Sequence, residues 1–246
     1  MTWLTVAPSV APCAPATLPA HIEHPLHLGC WSSPSLYPGA PRRTGGVFVV
    51  PGETVLGLRG WADAHEGVDD AGDPWALFAL EKIIRMMLRQ SGLALELLAA
   101  PNTLPAHSIF DPHEIITSCL HAGILSHVRD VTWRARQGFG ALPRARQLDA
   151  LRVSLWGALL VEQRALVLGL SDAIERWAVS SERELMRALV DGEEGSCDYV
   201  ASLLDKLAEV ADPDSEAARI SLGSRPRGYD VVNDMLVACR ELTARG

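Results

Sequence analysis

Lysine is almost missing from this sequence: of its 22 basic residues only Lys82 and Lys206 are lysines, and the rest are arginines. The basic residues are also outnumbered by 30 acidic ones, for a net charge of −8. The surface as a whole therefore does not attract a polyanion, and any phosphate or nucleic-acid site must be local. Cysteine is scarce. Cys13, Cys30, Cys119, Cys197 and Cys239 are odd in number and widely spaced, with no C-x-x-C pair. Neither a zinc ribbon nor a disulfide framework is expected, and a reducing, cytoplasmic setting fits best. Long apolar runs are missing as well. The longest, around 153–170, is broken by Glu162, Gln163 and Arg164 and falls short of the roughly 20 residues of a bilayer span, so no membrane partner is expected. The first twenty residues lack the basic and continuous apolar regions of a secretory signal and read as a flexible Pro/Ala-rich arm. Walker A, G-x-G-x-x-G and G-x-S-x-G patterns are absent, so P-loop, dinucleotide and α/β-hydrolase sites are not indicated. Ser32 and Ser33 thus have no catalytic partners that spacing can defend.

What is present is ordinary globular material. The 246 residues are 48 % apolar and 21 % charged, enough for one large domain or two small ones. His24–Cys30 alternates like a short strand, and Gly46–Val50 is β-branched and bounded by Gly-Gly and Pro-Gly, as a fully buried strand is. The three prolines and three glycines of residues 31–46 predict a loop between them. Trp75–Gln90 has apolar residues at helical spacing, while 61–72 reads as a polar loop. Asp111-Pro112-His113-Glu114 is a well-formed helix start, predicting a helix to about Gly138. Pro143 opens the next, Ser181 with Glu184 forms another capping box, and the last helices run about 196–211 and 230–244. The expectation is an α+β protein: an arm at 1–20, a small mixed-sheet domain at 21–105 and a helical domain at 106–246, with the cleft between them as the default site.

Two constellations stand out. His21, His24, His27 and Cys30 recur every three residues and are all able to bind a transition metal. On a strand, however, residues three apart point to opposite faces, and Pro25 prevents the regular helix that would gather them. Scattered strand and loop residues are the expectation there. Between Arg129 and Arg152 six arginines face two acids, reversing the charge of the whole chain. Arginine forks suit phosphate, so a phosphate- or RNA-facing groove and a solvated, salt-bridged helix face are both open.

The order of segments resembles a known family. Gly46-Val-Phe-Val-Val-Pro51, then Leu80-Glu-Lys-Ile-Ile-Arg-Met-Met-Leu88, then Leu95-Glu-Leu-Leu-Ala-Ala-Pro101 resemble the predicted nucleotidyltransferases of the DNA polymerase β superfamily associated with RNA repair. Arg152 falls where that family has a helical arginine, and Asp191-Gly192-Glu193 resembles its R-R-G-E turn. The likeness spans about residues 24–242. It implies a small nucleotidyltransferase-like domain with a mixed sheet and a helical domain behind it.

In that family a Gly-Ser ends the first strand, an Asp-x-Asp pair precedes R-G-V-F, and a third carboxylate joins them to hold two Mg²⁺ ions. Counting back from Gly46 puts Gly29 on the family's glycine and Cys30 on its serine. The two aspartates fall on Pro41 and Arg43, the family's arginine on Gly45, and the third carboxylate near Pro74, beside Asp73. The resemblance thus implies a degenerate, inactive relative that needs no cofactor. It would bind a nucleotide, an RNA end or a protein partner through Gly29, Cys30, Arg42, Arg43, Arg129, Arg134, Arg136 and Arg152. One alternative is an active Mg²⁺-dependent transferase with carboxylates relocated to Asp63, Glu66, Asp69, Asp70 and Asp73. Another is a structural subunit of a complex, contacting partners through the arm and the acids of 191–216.

Overall fold

The computed structural model describes residues 4–7, 22, 24–56, 61–105, 109–177, 180–193 and 196–243. Cys13, His21, Gly195 and most of the expected arm lie outside them. In chain order the strands are β1 (Thr5–Ala7), β2 (Pro25–Ser32), β3 (Arg43–Phe48), β4 (Ala64–Val68), β5 (Pro74–Ala79) and β6 (Ala165–Val167). The first helices are α1 (Gly52–Leu56), α2 (Leu80–Leu88), α3 (Gly92–Ala99), α4 (Pro112–Cys119) and α5 (Ile124–Arg136). They are followed by α6 (Arg144–Gln163), α7 (Leu170–Trp177), α8 (Ser180–Asp191), α9 (Ser196–Val210), α10 (Glu216–Leu222) and α11 (Tyr229–Thr243). The chain is mixed α/β, with one small mixed sheet and helix predominating. None of the described helices is long and apolar enough to cross a membrane.

Two compact units divide the chain, but not at one point. The described parts of 11–32, 41–120 and 226–246 form a mixed α/β unit; those of 1–10, 33–40 and 121–225 form a helical unit. The expected single boundary near 105 thus becomes an interleaved one. Residues 33–40, expected as a plain loop, bury Leu36, Tyr37 and Ala40 in the helical unit, where Leu170 N–H donates to the Leu36 carbonyl at 2.8 Å. The arm likewise contributes a strand: β1 pairs in parallel with β6, Thr5 opposite Ala165.

In the α/β unit the sheet order is β2-β3-β5-β4. β2 runs antiparallel to β3, β3 parallel to β5, and β5 antiparallel to β4. On one face Leu28, Phe48, Val50, Leu77 and Ala79 form a core with the partly buried Trp61 and Trp75, full burial of each of Leu28, Phe48, Val50 and Leu77 being worth about 1.5–3 kcal/mol. The Trp75–Ala79 segment is β5 and not the start of a helix. Ala76, Leu77, Phe78 and Ala79 are buried on both faces of an interior strand, and such a continuous apolar run satisfies helical spacing too. The helix begins at Leu80, burying Ile83, Ile84 and Met87. The polar loop expected at 61–72 contains β4, an edge strand that alternates half-buried and exposed residues. At the opposite edge, Asn102 and Thr103 cap β2: Asn102 Oδ1 accepts from Leu28 N–H at 3.0 Å and Thr103 N–H donates to the Leu28 carbonyl at 2.8 Å, satisfying an edge that would otherwise invite pairing.

The helical unit is built around α6, buried on nearly all sides from Gln147 to Val161. Asp111 caps α4 as expected, its side chain accepting from His113 N–H. The long helix expected to Gly138 is broken, however, because α4 ends at Cys119 and α5 starts at Ile124. Ser181 lies inside α8 rather than at its cap. Gly192, at φ +86°, closes that helix, a left-handed position that favours glycine.

Candidate functional site

Strand register decides which of the expected residues meet. Gly29 lies opposite Gly45, Cys30 opposite Thr44 and Ser32 opposite Arg43, while Thr44 lies beside Trp75 on β5. The parallel pairing of β3 and β5 therefore brings residues 41–43 and 73–74 to one end of the sheet. There Arg42 Nη1 stands 3.8 Å from Asp73 Oδ2. Arg43 is exposed and forms no ion pair among the described residues. Thr44 is 3 % exposed, and its hydroxyl has no hydrogen-bond partner among the described residues.

The strand positions ahead of this end do not present a ligand surface. A Cβ on Gly29 would lie 2.9 Å from the Pro101 carbonyl oxygen and 3.1 Å from Ala100 Cβ; the chain itself covers the bare glycine. Cys30 is 3 % exposed and bonded in a disulfide, a bond that the cysteine spacing does not signal, and its buried side chain offers no face to a phosphate, which corrects its assignment. Cys119 and Cys239 are free thiols, with burial pushing each up to about 11, so neither is a ready nucleophile.

Among residues 41–43 and 73–74, this end holds a single carboxylate, Asp73. Pro41, Arg43 and Pro74 offer no carboxylate, and Asp73 is paired with Arg42, so a two-Mg²⁺ site does not fit the residues present. Of the relocated acids, Asp63 and Asp69 are engaged elsewhere. Asp63 accepts from Lys82 Nζ at 2.9 Å and lies 3.7 Å from Arg85. Asp69 Oδ1 holds its own turn, accepting from the N–H groups of Ala71 and Asp73, each at 2.9 Å. Among the described residues no group of three or more His, Cys, Asp and Glu is placed to hold a metal. His27, from the three-residue series, is buried. Its Nε2 donates to the Leu97 carbonyl at 3.0 Å, and burial lowers its pKa to about 4, against a smaller opposing effect of that hydrogen bond.

The arginines of the helical unit mostly serve the fold. Arg152 is 4 % exposed; its Nε and Nη2 donate to Asp149 Oδ1 at 3.2 and 2.8 Å, and its guanidinium lies 5.7 Å from the Tyr37 ring centroid. It is therefore not a ligand-facing residue, which corrects its assignment. Arg136 Nε pairs with Asp205 at 2.8 Å. Arg129 stands 3.8 Å from Asp214, in a polar cavity of about 300 Å³ shared with His121, Ser126 and Arg219. Arg134 is exposed on α5.

Composition signals neither the Arg42–Asp73 pair nor the buried Arg152. The first needs the β3–β5 pairing, and the second needs Tyr37 from a distant loop. Comparison with protein-family models, with curated proteins and with solved structures gives no match to the chain.

Proposed function

We propose that the protein is a degenerate, catalytically silent relative of the polymerase β-type nucleotidyltransferases, one that binds a phosphate-bearing ligand at the basic end of its mixed sheet. A nucleotide or a nucleic-acid end is the ligand class. Arg42 and Arg43 supply the recognition, because a planar fork donates two hydrogen bonds to one phosphoryl group without a metal.

The observation that carries the reading is the pairing of β3 with β5. It gathers at one end of the sheet the positions that the family resemblance assigns to three carboxylates, and they hold Pro41, Arg43 and Pro74, with Arg42 against Asp73. Charge there is reversed from what two metal ions require. The active alternative loses support from the same geometry, since Asp63 and Asp73 already have cationic partners. The disulfide at Cys30 favours an oxidising setting over the reducing, cytoplasmic one that the cysteine spacing suggests. Thiol titration of the purified native protein separates the two.

A transfer assay tests the reading. Purified protein is incubated with labelled nucleoside triphosphates, Mg²⁺ or Mn²⁺, and a pool of RNA and protein acceptors. The expected result is no chelator-sensitive product. Label transfer abolished by chelator overturns the reading and directs attention to the acids of 63–73.

A further inference from the structure

The seam between α5 and α6 changes character along its length. At Gly157 the helices come so close that a Cβ would lie 2.6 Å from Val128 Cγ1. One turn on, the hydroxyls of Thr132 and Ser154 share a buried hydrogen bond of 2.6 Å. Beyond that, both facing residues are alanines, Ala135 and Ala150, and a cavity of about 410 Å³ opens. Val131 and Leu142 complete an apolar floor, while Arg134 and Arg146 line its sides.

Its electrostatics are one-sided. The single lining carboxylate, Asp149, is held by the buried Arg152, so its charge is compensated inside the protein. Arg134 and Arg146 are both exposed, and neither forms an ion pair among the described residues. The cavity volume lies within the roughly 300–1,000 Å³ of small-molecule sites, where apolar walls and a few placed polar groups are the rule.

We propose that this cavity is a separate binding site for a small phosphorylated molecule with a flat apolar body. Two guanidinium groups match a dianionic phosphoryl group better than the single charge of a carboxylate. The alanine floor accepts a ring that larger residues there would exclude. A nucleic-acid strand fits less well, because none of the lining residues is an aromatic on which bases stack. The site is independent of the one at the end of the sheet.

Calorimetry with phenyl phosphate tests the proposal, with inorganic phosphate and benzyl alcohol as the two halves of the probe. Phenyl phosphate is expected to bind about tenfold or more tightly than inorganic phosphate, the contribution of a buried ring. Arg134→Ala with Arg146→Ala, both exposed positions and so compatible with folding, is expected to weaken it by about tenfold or more. Ala150→Leu fills the floor and is expected to abolish binding without changing charge, with circular dichroism confirming the fold. Arg42→Ala with Arg43→Ala is expected to leave phenyl phosphate affinity unchanged, which separates this site from the proposed nucleotide site. No binding to the native protein, retained affinity in the Arg134/Arg146 variant, or loss in the Arg42/Arg43 variant instead would each overturn the proposal.

Discussion

Arginine has different work in the two units. In the α/β unit the half-buried Arg42, paired with Asp73, and the exposed Arg43 stand at one end of the sheet, and Arg43 is placed by the pairing of β3 with its neighbours. In the helical unit Arg136 and Arg152 are tied to acids on neighbouring turns or helices, and their positions are set by partners. Within the basic cluster that stands out in composition, Arg136 and Arg152 thus have acid partners, while Arg134 and Arg146 have none among the described residues. Local charge excess marks where cations are concentrated; the partner of each cation decides what it does.

Substitutions that disturb one unit's packing sharpen this contrast, and the core of the helical unit gives the largest effect. Trp156 is fully buried on α6, its ring stacked with His127 at 6.3 Å; Trp156→Ala is expected to cost about 3–5 kcal/mol in urea unfolding.

The α/β unit supplies the next. Folded His27 stays neutral down to about pH 4, whereas in the unfolded chain it takes a proton near pH 6.5. The unfolded state therefore binds more protons between those values, so stability is highest above pH 6.5 and declines as pH falls toward 4, by on the order of 3 kcal/mol from this group. His27→Gln, which keeps a donor for the Leu97 carbonyl, should remove that part of the slope; equal slopes in both proteins would contradict the assignment.

Gly157→Ala comes third. Its methyl meets Val128, and overpacking of this kind costs about 1–3 kcal/mol. Arg136→Ala should be smallest, within about 1 kcal/mol, because its pair with Asp205 is exposed. A large loss there would mean that helical-unit arginines matter more than their partners' exposure implies.

Much of the fold was legible and much of the site was not, for separable reasons. β3 was readable because a β-branched run between glycine and proline breaks has few other solutions, and α4 because Asp111 and Pro112 satisfy the first free N–H groups of a helix. β5 has the sequence pattern of a helix because an interior strand leading straight into α2 leaves no polar gap between them. α6 offered no amphipathic pattern, since it is buried nearly all round. At the site, strand spacing is enough to bring Pro41, Arg43 and Pro74 to one end of the sheet once the register is known. It could not place Arg152, whose fate depends on Tyr37 more than a hundred residues away, nor reveal that residues 100–101 cover Gly29.

The most direct measurement is equilibrium binding of a fluorescent ATP analogue, with and without Mg²⁺, to the native protein and to Arg42→Ala with Arg43→Ala. The account predicts binding that does not need the metal, weakens with salt, and falls by about tenfold or more in the variant. Binding that requires Mg²⁺, or that survives loss of both arginines, would contradict it.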